Sequence, residues 1–210
     1  MSDATALLAA VRAAPEDDAP RLVYADWLEE HGQPDRAEFI RVQCALARRD
    51  DSVLRRREAE LLAEHHDLFA GPLAHDGLQF RFERGFAIAF RHQGVFVSDD
   101  DNSEAVRTIL RFHDDEWVER DTVSPRYWRS ISVAFFRRND SFKAARYRLD
   151  ALGDPALLRF DGFPSSWDGR SDGLAYFGHF RQGIIHFEIE KRLIQHRFQM
   201  SFRHVHLPGA

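Results

Sequence analysis

The spacing of the apolar residues changes once along this chain, between His66 and Leu78. Before the change, apolar side chains recur every three or four residues, which is the period of an amphipathic helix. After it, they alternate with polar residues, which is the period of a strand with one buried face. The change predicts an α+β protein, with an N-terminal bundle of four short helices followed by an antiparallel β-sheet.

This change divides the chain into three predicted regions. Residues 1–70 form the helical part, residues 71–98 a connecting β-hairpin, and residues 99–210 an antiparallel β domain. Gly85 suits the tight turn of the hairpin, because glycine adopts positive φ without steric penalty. Residues 95–97 are predicted to extend the hairpin.

The β domain is predicted to close into a small barrel. Strands are predicted at residues 108–112, 117–123, 131–136, 142–149 and 157–160 and in a meander over 174–202, with a helical turn at 125–129. Antiparallel strands joined by short connections leave exposed edges unless the sheet closes on itself. A closed sheet is therefore favoured over an open one.

Residues 17–32 are predicted to form a complete helix, because they contain signals for both its start and its end. Asp17 and Asp18 can cap the first turn, and Pro20 suits a first helical position. Gly32 supplies the left-handed residue that ends a helix. The residues expected to anchor this helix in the bundle are Pro20, Leu22, Tyr24, Asp26, Trp27, Leu28 and Gly32.

Residues 20–32, followed by residues 36–43, resemble the bacterial repeat-companion domain. The resemblance covers about residues 1–70. Such domains usually precede leucine-rich or other repeats, yet no leucine-rich period occurs in residues 90–210. The family has no assigned chemistry, so the resemblance implies a bacterial interaction module without catalytic residues.

Residues 105–207 are similar to small lipocalin-like bacterial domains. The similarity lies in a strand–turn–strand unit at residues 110–115 and a later meander at residues 176–187. It implies a barrel whose interior can hold one small apolar ligand. The side chains that would line such a cavity are Leu110, Phe112, Phe135, Phe187 and Phe198. With 18 phenylalanines in the chain, a filled interior is the competing prediction.

Charge and cysteine content narrow the possible partners. The chain carries a net charge of −5, and its acidic excess lies in residues 1–70, which argues against a nucleic-acid partner. Cys44 is the single cysteine, so no intrachain disulfide forms, and its apolar neighbours predict burial. No apolar run approaches the ~20 residues of a membrane-spanning helix, and no signal peptide is evident. We expect a cytoplasmic protein without a membrane partner.

Histidines of the C-terminal strands are the candidates for a metal site. His204 and His206 lie two residues apart, on one face of a strand, and His186 belongs to a neighbouring strand. Against a metal, His186 shares its strand face with Glu188 and Glu190, as on a solvent-exposed surface. The sequence contains no nucleophile elbow, glycine-rich phosphate loop or EF-hand spacing. We therefore expect no catalysis and no cofactor.

Three functions from different classes are compatible with these patterns. The first is a non-enzymatic interaction or adaptor module whose partner is another protein. The second is a carrier of a small apolar ligand, of lipocalin type. The third is a metal-dependent enzyme that uses the strand histidines.

Overall fold

A computed structural model describes residues 2–75, 77–92, 94–99, 106–124, 143–152, 156–163, 172–181 and 183–205. Within these ranges the helices are α1 (Asp3–Ala13), α2 (Ala19–Glu30), α3 (Pro34–Arg48) and α4 (Ser52–Ala70). The first strands are β1 (Leu78–Glu83), β2 (Phe86–His92), β3 (Val95–Ser98), β4 (Arg107–Phe112) and β5 (Trp117–Val123). The later strands are β6 (Lys143–Asp150), β7 (Ala156–Asp161), β8 (Leu174–Arg181), β9 (Ile184–Lys191) and β10 (His196–Val205).

The strands form a two-stranded hairpin and a closed barrel. β1 pairs with β2, and the other eight strands close in the order β10-β3-β4-β5-β6-β7-β8-β9. All of the described pairs are antiparallel. The predicted fold class, a helical bundle followed by a small antiparallel barrel, is confirmed.

One strand lies where the sequence did not place it. The predicted extension of the hairpin by residues 95–97 is wrong, because these residues belong to β3, which pairs with β10 and β4 of the barrel. β3 is apolar at nearly every position, so its side-chain pattern does not reveal which sheet it joins. The strand predicted at 131–136 and the helical turn predicted at 125–129 lie outside the described residues.

Helix α2 carries the start and stop signals that its sequence predicts. Pro20 occupies the first turn, and Gly32 follows the helix with a φ of +78°. Capping falls to Asp17, whose Oδ1 accepts a hydrogen bond from the first amide of the helix at 2.9 Å. On the exposed face, Asp26 accepts a hydrogen bond from Arg41 at 2.7 Å, which ties α2 to α3.

The apolar face of α2 packs against α1 and α3. Leu28 and Tyr24 are buried in this small core, whereas Leu22 and Trp27 are half-buried at its margin. The Trp27 indole stacks on the ring of His31, with 3.9 Å between the ring centroids. Trp27 is therefore an edge residue of the bundle and not its centre.

The turn of the hairpin docks on the helical part. Gly85 has a φ of +90°, and its amide donates a hydrogen bond to Gln43 Oε1 at 2.6 Å. A Cβ atom at Gly85 would lie 2.9 Å from Ile40 Cα, which leaves no room for a side chain. The next residue, Phe86, packs into the helical core beside Tyr24. The hairpin is thus part of the helical bundle at this end.

A buried carboxylate strengthens the same junction. Asp18 is only 7% exposed and lies 2.8 Å from Arg48 Nε and 3.1 Å from Arg84 Nε. A carboxylate buried to this degree is stable only when cations compensate for its lost hydration. The two arginines come from α3 and from the hairpin turn, so the ion pairs join three separate segments.

The opposite end of the hairpin closes one end of the barrel. The ring of Phe90 contacts aromatic rings from β3, β4, β6 and β8, namely Phe96, Phe112, Tyr147 and Phe180. Side chains from strands all around a barrel converge only on its axis. The Tyr147 hydroxyl accepts a hydrogen bond from the Phe90 amide at 2.8 Å and donates to the His113 carbonyl at 2.8 Å. Phe90 is therefore a plug that β2 inserts into the barrel.

Large side chains fill the middle of the barrel. Rings and branched chains of every barrel strand belong to one buried cluster, which includes Leu110, Val118, Leu158, Phe160, Ile185, Phe187 and Phe202. None of the helices in the described ranges has the length and apolar character that a membrane crossing requires.

Candidate functional site

The barrel end away from the hairpin contains a cavity. The strand register brings the starts of β4, β8 and β10 to this end, together with the ends of β5 and β9. The cavity has a volume of about 320 Å³. Its lining residues are Thr108, Arg120, Asp121, Thr122, Leu174, Tyr176, Ile189, Phe198, Met200 and Phe202.

Arg120 places a positive charge inside this end of the barrel. It stands opposite Leu110 in the β4–β5 ladder, and Leu110 is fully buried in the interior. Because cross-strand partners project to the same face, the Arg120 side chain also points inward. Its side chain is only 16% exposed.

The contacts of Arg120 hold its guanidinium at the floor of the cavity. Nη1 donates a hydrogen bond to the Tyr176 hydroxyl at 2.8 Å and lies 2.8 Å from Asp172 Oδ2. The guanidinium carbon stacks over the Phe163 ring, 4.4 Å from its centroid. Among the described residues, only Nη1 of this guanidinium has a hydrogen-bond or ion-pair partner.

The partners of Arg120 are themselves fixed. Burial raises the pKa of the Tyr176 phenol, and the charge of Arg120 opposes that rise. The phenol therefore stays protonated near neutral pH. Asp172 Oδ1 accepts a hydrogen bond from the Leu174 amide at 3.1 Å, which orients the other oxygen toward Arg120. The polar floor is preorganised before any ligand binds.

The walls of the cavity are mainly apolar. Ile189, Phe198 and Met200 project from β9 and β10, and Leu174 projects from β8. Phe198 remains 37% exposed. Two polar side chains of the lining, those of Arg120 and Tyr176, are less exposed than Phe198.

The five predicted cavity residues are found in different environments. Leu110, Phe112 and Phe187 are 0–1% exposed and belong to the filled middle of the barrel. Phe198 lines the open-end cavity. Phe135 lies outside the described residues.

Two of the candidate metal ligands, His186 and His204, are not brought together. His186 lies on the outer surface, where its Nδ1 is 2.8 Å from Ser201 Oγ. His204 lies on the inner face, beside the rings of Phe96 and His92. His206 lies outside the described residues. Over the described part of the chain, no group of three or more potential ligands is arranged to hold a metal ion.

The expectation for Cys44 is met. Its side chain is 2% exposed, and burial raises the pKa of the thiol to about 11, so the thiol is protonated and inert near neutral pH.

The sequence does not single out Arg120 and Tyr176 as site residues. In β5, Val118 and Thr122 alternate with polar residues, and Arg120 occupies the same phase. The alternation therefore contains the signal. An arginine within an inward-facing row is, however, assigned to the outside by default, because charges are rarely buried.

Comparisons of the chain with protein-family models, with curated proteins and with solved structures find no match.

Proposed function

We propose that this protein binds a small molecule in the open end of its barrel, in the bacterial cytoplasm and without catalysing a reaction. One observation carries the proposal: Arg120 lies inside the barrel, beneath a cavity of about 320 Å³ with apolar walls. This volume is at the small end of the range of about 300–1,000 Å³ that is usual for small-molecule sites.

The site defines the chemistry of the ligand. Apolar walls favour an apolar body, which gains about 25 cal/mol for each Å² of apolar surface removed from water. The Nε and Nη2 donors of Arg120, which have no partner among the described residues, favour a hydrogen-bond acceptor at the inner end of the ligand. An aliphatic chain that ends in a carboxylate or a hydroxyl meets both conditions, whereas a chain that ends in an ammonium does not.

A displacement experiment tests this proposal. Anilinonaphthalene sulfonate, an apolar anion that fluoresces in apolar sites, is titrated into the protein and then displaced with octanoate, octanol or octylamine. We expect octanoate and octanol to displace the dye and octylamine to fail, because an ammonium has no acceptor for the donors of Arg120.

Two matched substitutions locate the binding. Met200→Trp fills the cavity, and we expect it to weaken dye binding at least about tenfold. Leu157→Trp adds the same ring to the outer wall, where Leu157 is 42% exposed, and we expect no change. Equal dye binding in the two variants would contradict the proposal.

A second candidate function is a protein-interaction module, as the resemblance of residues 1–70 to repeat-companion domains implies. One feature of the barrel favours it. Leu193 and Ile194, in the turn between β9 and β10, are 83% and 63% exposed. We call these two adjacent residues the apolar tip, and exposed apolar residues of this kind mark interaction sites.

Site-specific cross-linking in the host tests the interaction function. We expect a photoreactive side chain at position 193 to capture one discrete protein, and Ile194→Asp to abolish the product. Position 53 is the control, because Val53 is equally prominent, at 74% exposed, but lies on α4. The same product from both positions would show that capture does not depend on the tip.

A further inference from the structure

A cleft opens in the barrel wall where β6 and β7 separate. The two strands pair only through Tyr147–Asp150 and Leu157–Phe160. The preceding part of β6 pairs with β5 alone, and Asp161 pairs with β8 alone. A cavity of about 730 Å³ occupies this divergence, and it shares no lining residue with the open-end cavity.

Two arginines lie side by side at the edge of this cleft. Arg148 and Arg159 are direct cross-strand partners, and both side chains are exposed on the outer surface. Like charges placed directly opposite each other in a sheet are destabilising. Neither arginine forms an ion pair with a described residue, so nothing in the described protein offsets their repulsion.

Aromatic rings stack on two arginines of the cleft. Arg159 stacks over the ring of Phe177 at 5.0 Å, and Arg146, a third arginine of the cleft, stacks over Trp117 at 4.6 Å. Arg146 also donates a hydrogen bond to the Asp115 carbonyl at 3.1 Å. Stacking restricts the guanidinium planes and leaves their edges free to donate.

The carboxylates that border the cleft are already engaged. Glu116 is paired with Arg81, and Asp161 is paired with Arg192. Neither Arg81 nor Arg192 lines the cleft. Among the described residues, therefore, no carboxylate pairs with Arg148 or Arg159.

We propose that this cleft binds a small polyphosphate, a ligand with more than one phosphate group. Guanidinium edges match phosphate oxygens in paired hydrogen bonds, and one multiply charged ligand would relieve the repulsion between Arg148 and Arg159. The cleft is large enough for a nucleotide as well as for an inorganic chain. Because the cleft and the open-end cavity share no lining residue, the two proposals are tested by different variants.

Isothermal titration calorimetry with tripolyphosphate, adenosine triphosphate and inorganic phosphate tests the proposal. We expect the first two to bind and single phosphate to bind at least about tenfold more weakly, because it reaches fewer guanidinium groups. Tighter binding of adenosine triphosphate than of tripolyphosphate would identify a nucleotide as the ligand class. Equal binding would identify the phosphate chain alone, and both results support the site.

Two charge-matched double variants distinguish a site from general electrostatic attraction. Arg148→Gln with Arg159→Gln removes the adjacent pair, and we expect at least about a tenfold loss of tripolyphosphate affinity. Arg56→Gln with Arg181→Gln removes the same charge from exposed positions on α4 and β8, and we expect no loss. The thermal melting of both variants shows that they fold. Equal losses, or no binding to the unmodified protein, would overturn the proposal.

Discussion

At the scale of single residues, His92 is the most unusual titratable group of the described chain. It is buried, and its Nε2 accepts a hydrogen bond from the Phe112 amide at 2.9 Å, which requires a neutral ring. Burial lowers the pKa of His92 well below 6.5, and the neighbouring His204, Arg111 and His113 lower it further. His92 therefore links the stability of the plugged barrel end to pH.

The direction of this pH dependence follows from proton binding. Below pH 6.5 the unfolded chain protonates His92 while the folded protein does not, so stability falls as the pH decreases through that window. Above pH 6.5 both states are neutral and the contribution is constant. We expect His92→Gln, which keeps an acceptor for the amide, to reduce the slope by up to about 1.4 kcal/mol per pH unit.

Urea unfolding at several pH values measures this slope. His186→Gln is the control, because His186 is exposed and we expect it to leave the slope unchanged. An unaltered slope in His92→Gln would show that other groups carry the acid sensitivity.

Trp27 is a second residue whose environment sets a specific expectation. A fully buried tryptophan would cost about 3–5 kcal/mol on truncation to alanine. Because Trp27 is half-buried and stacked on His31, we expect Trp27→Ala to lower the free energy of unfolding by about 2 kcal/mol. Val23→Ala, at a 53% exposed position of the same helix, is the control and should change it by less than about 0.5 kcal/mol. A loss from Trp27→Ala no larger than that of the control would show that the indole contributes little.

At the scale of elements, the hairpin connects the helical bundle to the barrel through its turn. Gly85 and Gly32 both have positive φ, but they differ in their surroundings. An added Cβ at Gly32 meets nothing within 4 Å, whereas at Gly85 it meets the Ile40 backbone. Substitutions at these two glycines therefore distinguish the cost of backbone strain from the cost of steric overlap.

Parallel alanine substitutions make that separation measurable. We expect Gly32→Ala to cost about 1–2 kcal/mol from backbone strain alone. Gly85→Ala should cost clearly more, because Ile40 must move and the hydrogen bond to Gln43 is strained. Equal melting temperatures for the two variants would show that the hairpin turn is not held tightly against α3.

At the scale of the whole molecule, the hairpin makes helices and barrel depend on one another. Phe86 belongs to the helical core and Phe90, in the same strand, belongs to the barrel core. Loss of either core would leave one end of β2 without its packing. We expect the two parts to unfold together.

Tyr147→Phe tests this coupling with the loss of one oxygen atom. The variant leaves the buried Phe90 amide without its side-chain acceptor, at a cost of about 1–3 kcal/mol. We expect hydrogen exchange to accelerate at the Phe90 amide and also at amides of α3, because the hairpin transmits the change. Faster exchange confined to the barrel would mean that the two parts open independently.

The sequence by itself determined the local features of this protein. Apolar spacing depends only on neighbours along the chain, so it predicted the helical bundle and the α+β class. Positive φ is a property of single residues, and it placed Gly32 after its helix and Gly85 in its turn. The burial of Cys44 also followed from its immediate neighbours.

Only the tertiary structure decided the features that depend on which strands become neighbours. The register of the strands places the Arg120 side chain inside the barrel, and it places His186 and His204 on opposite faces of the wall. Closure of the sheet pairs β3 with barrel strands instead of with the hairpin. Strand register also places the cleft arginines Arg148 and Arg159 side by side. An alternating pattern indicates that a strand has one apolar and one polar face. It does not indicate which other strands lie beside it and contribute side chains to the same face.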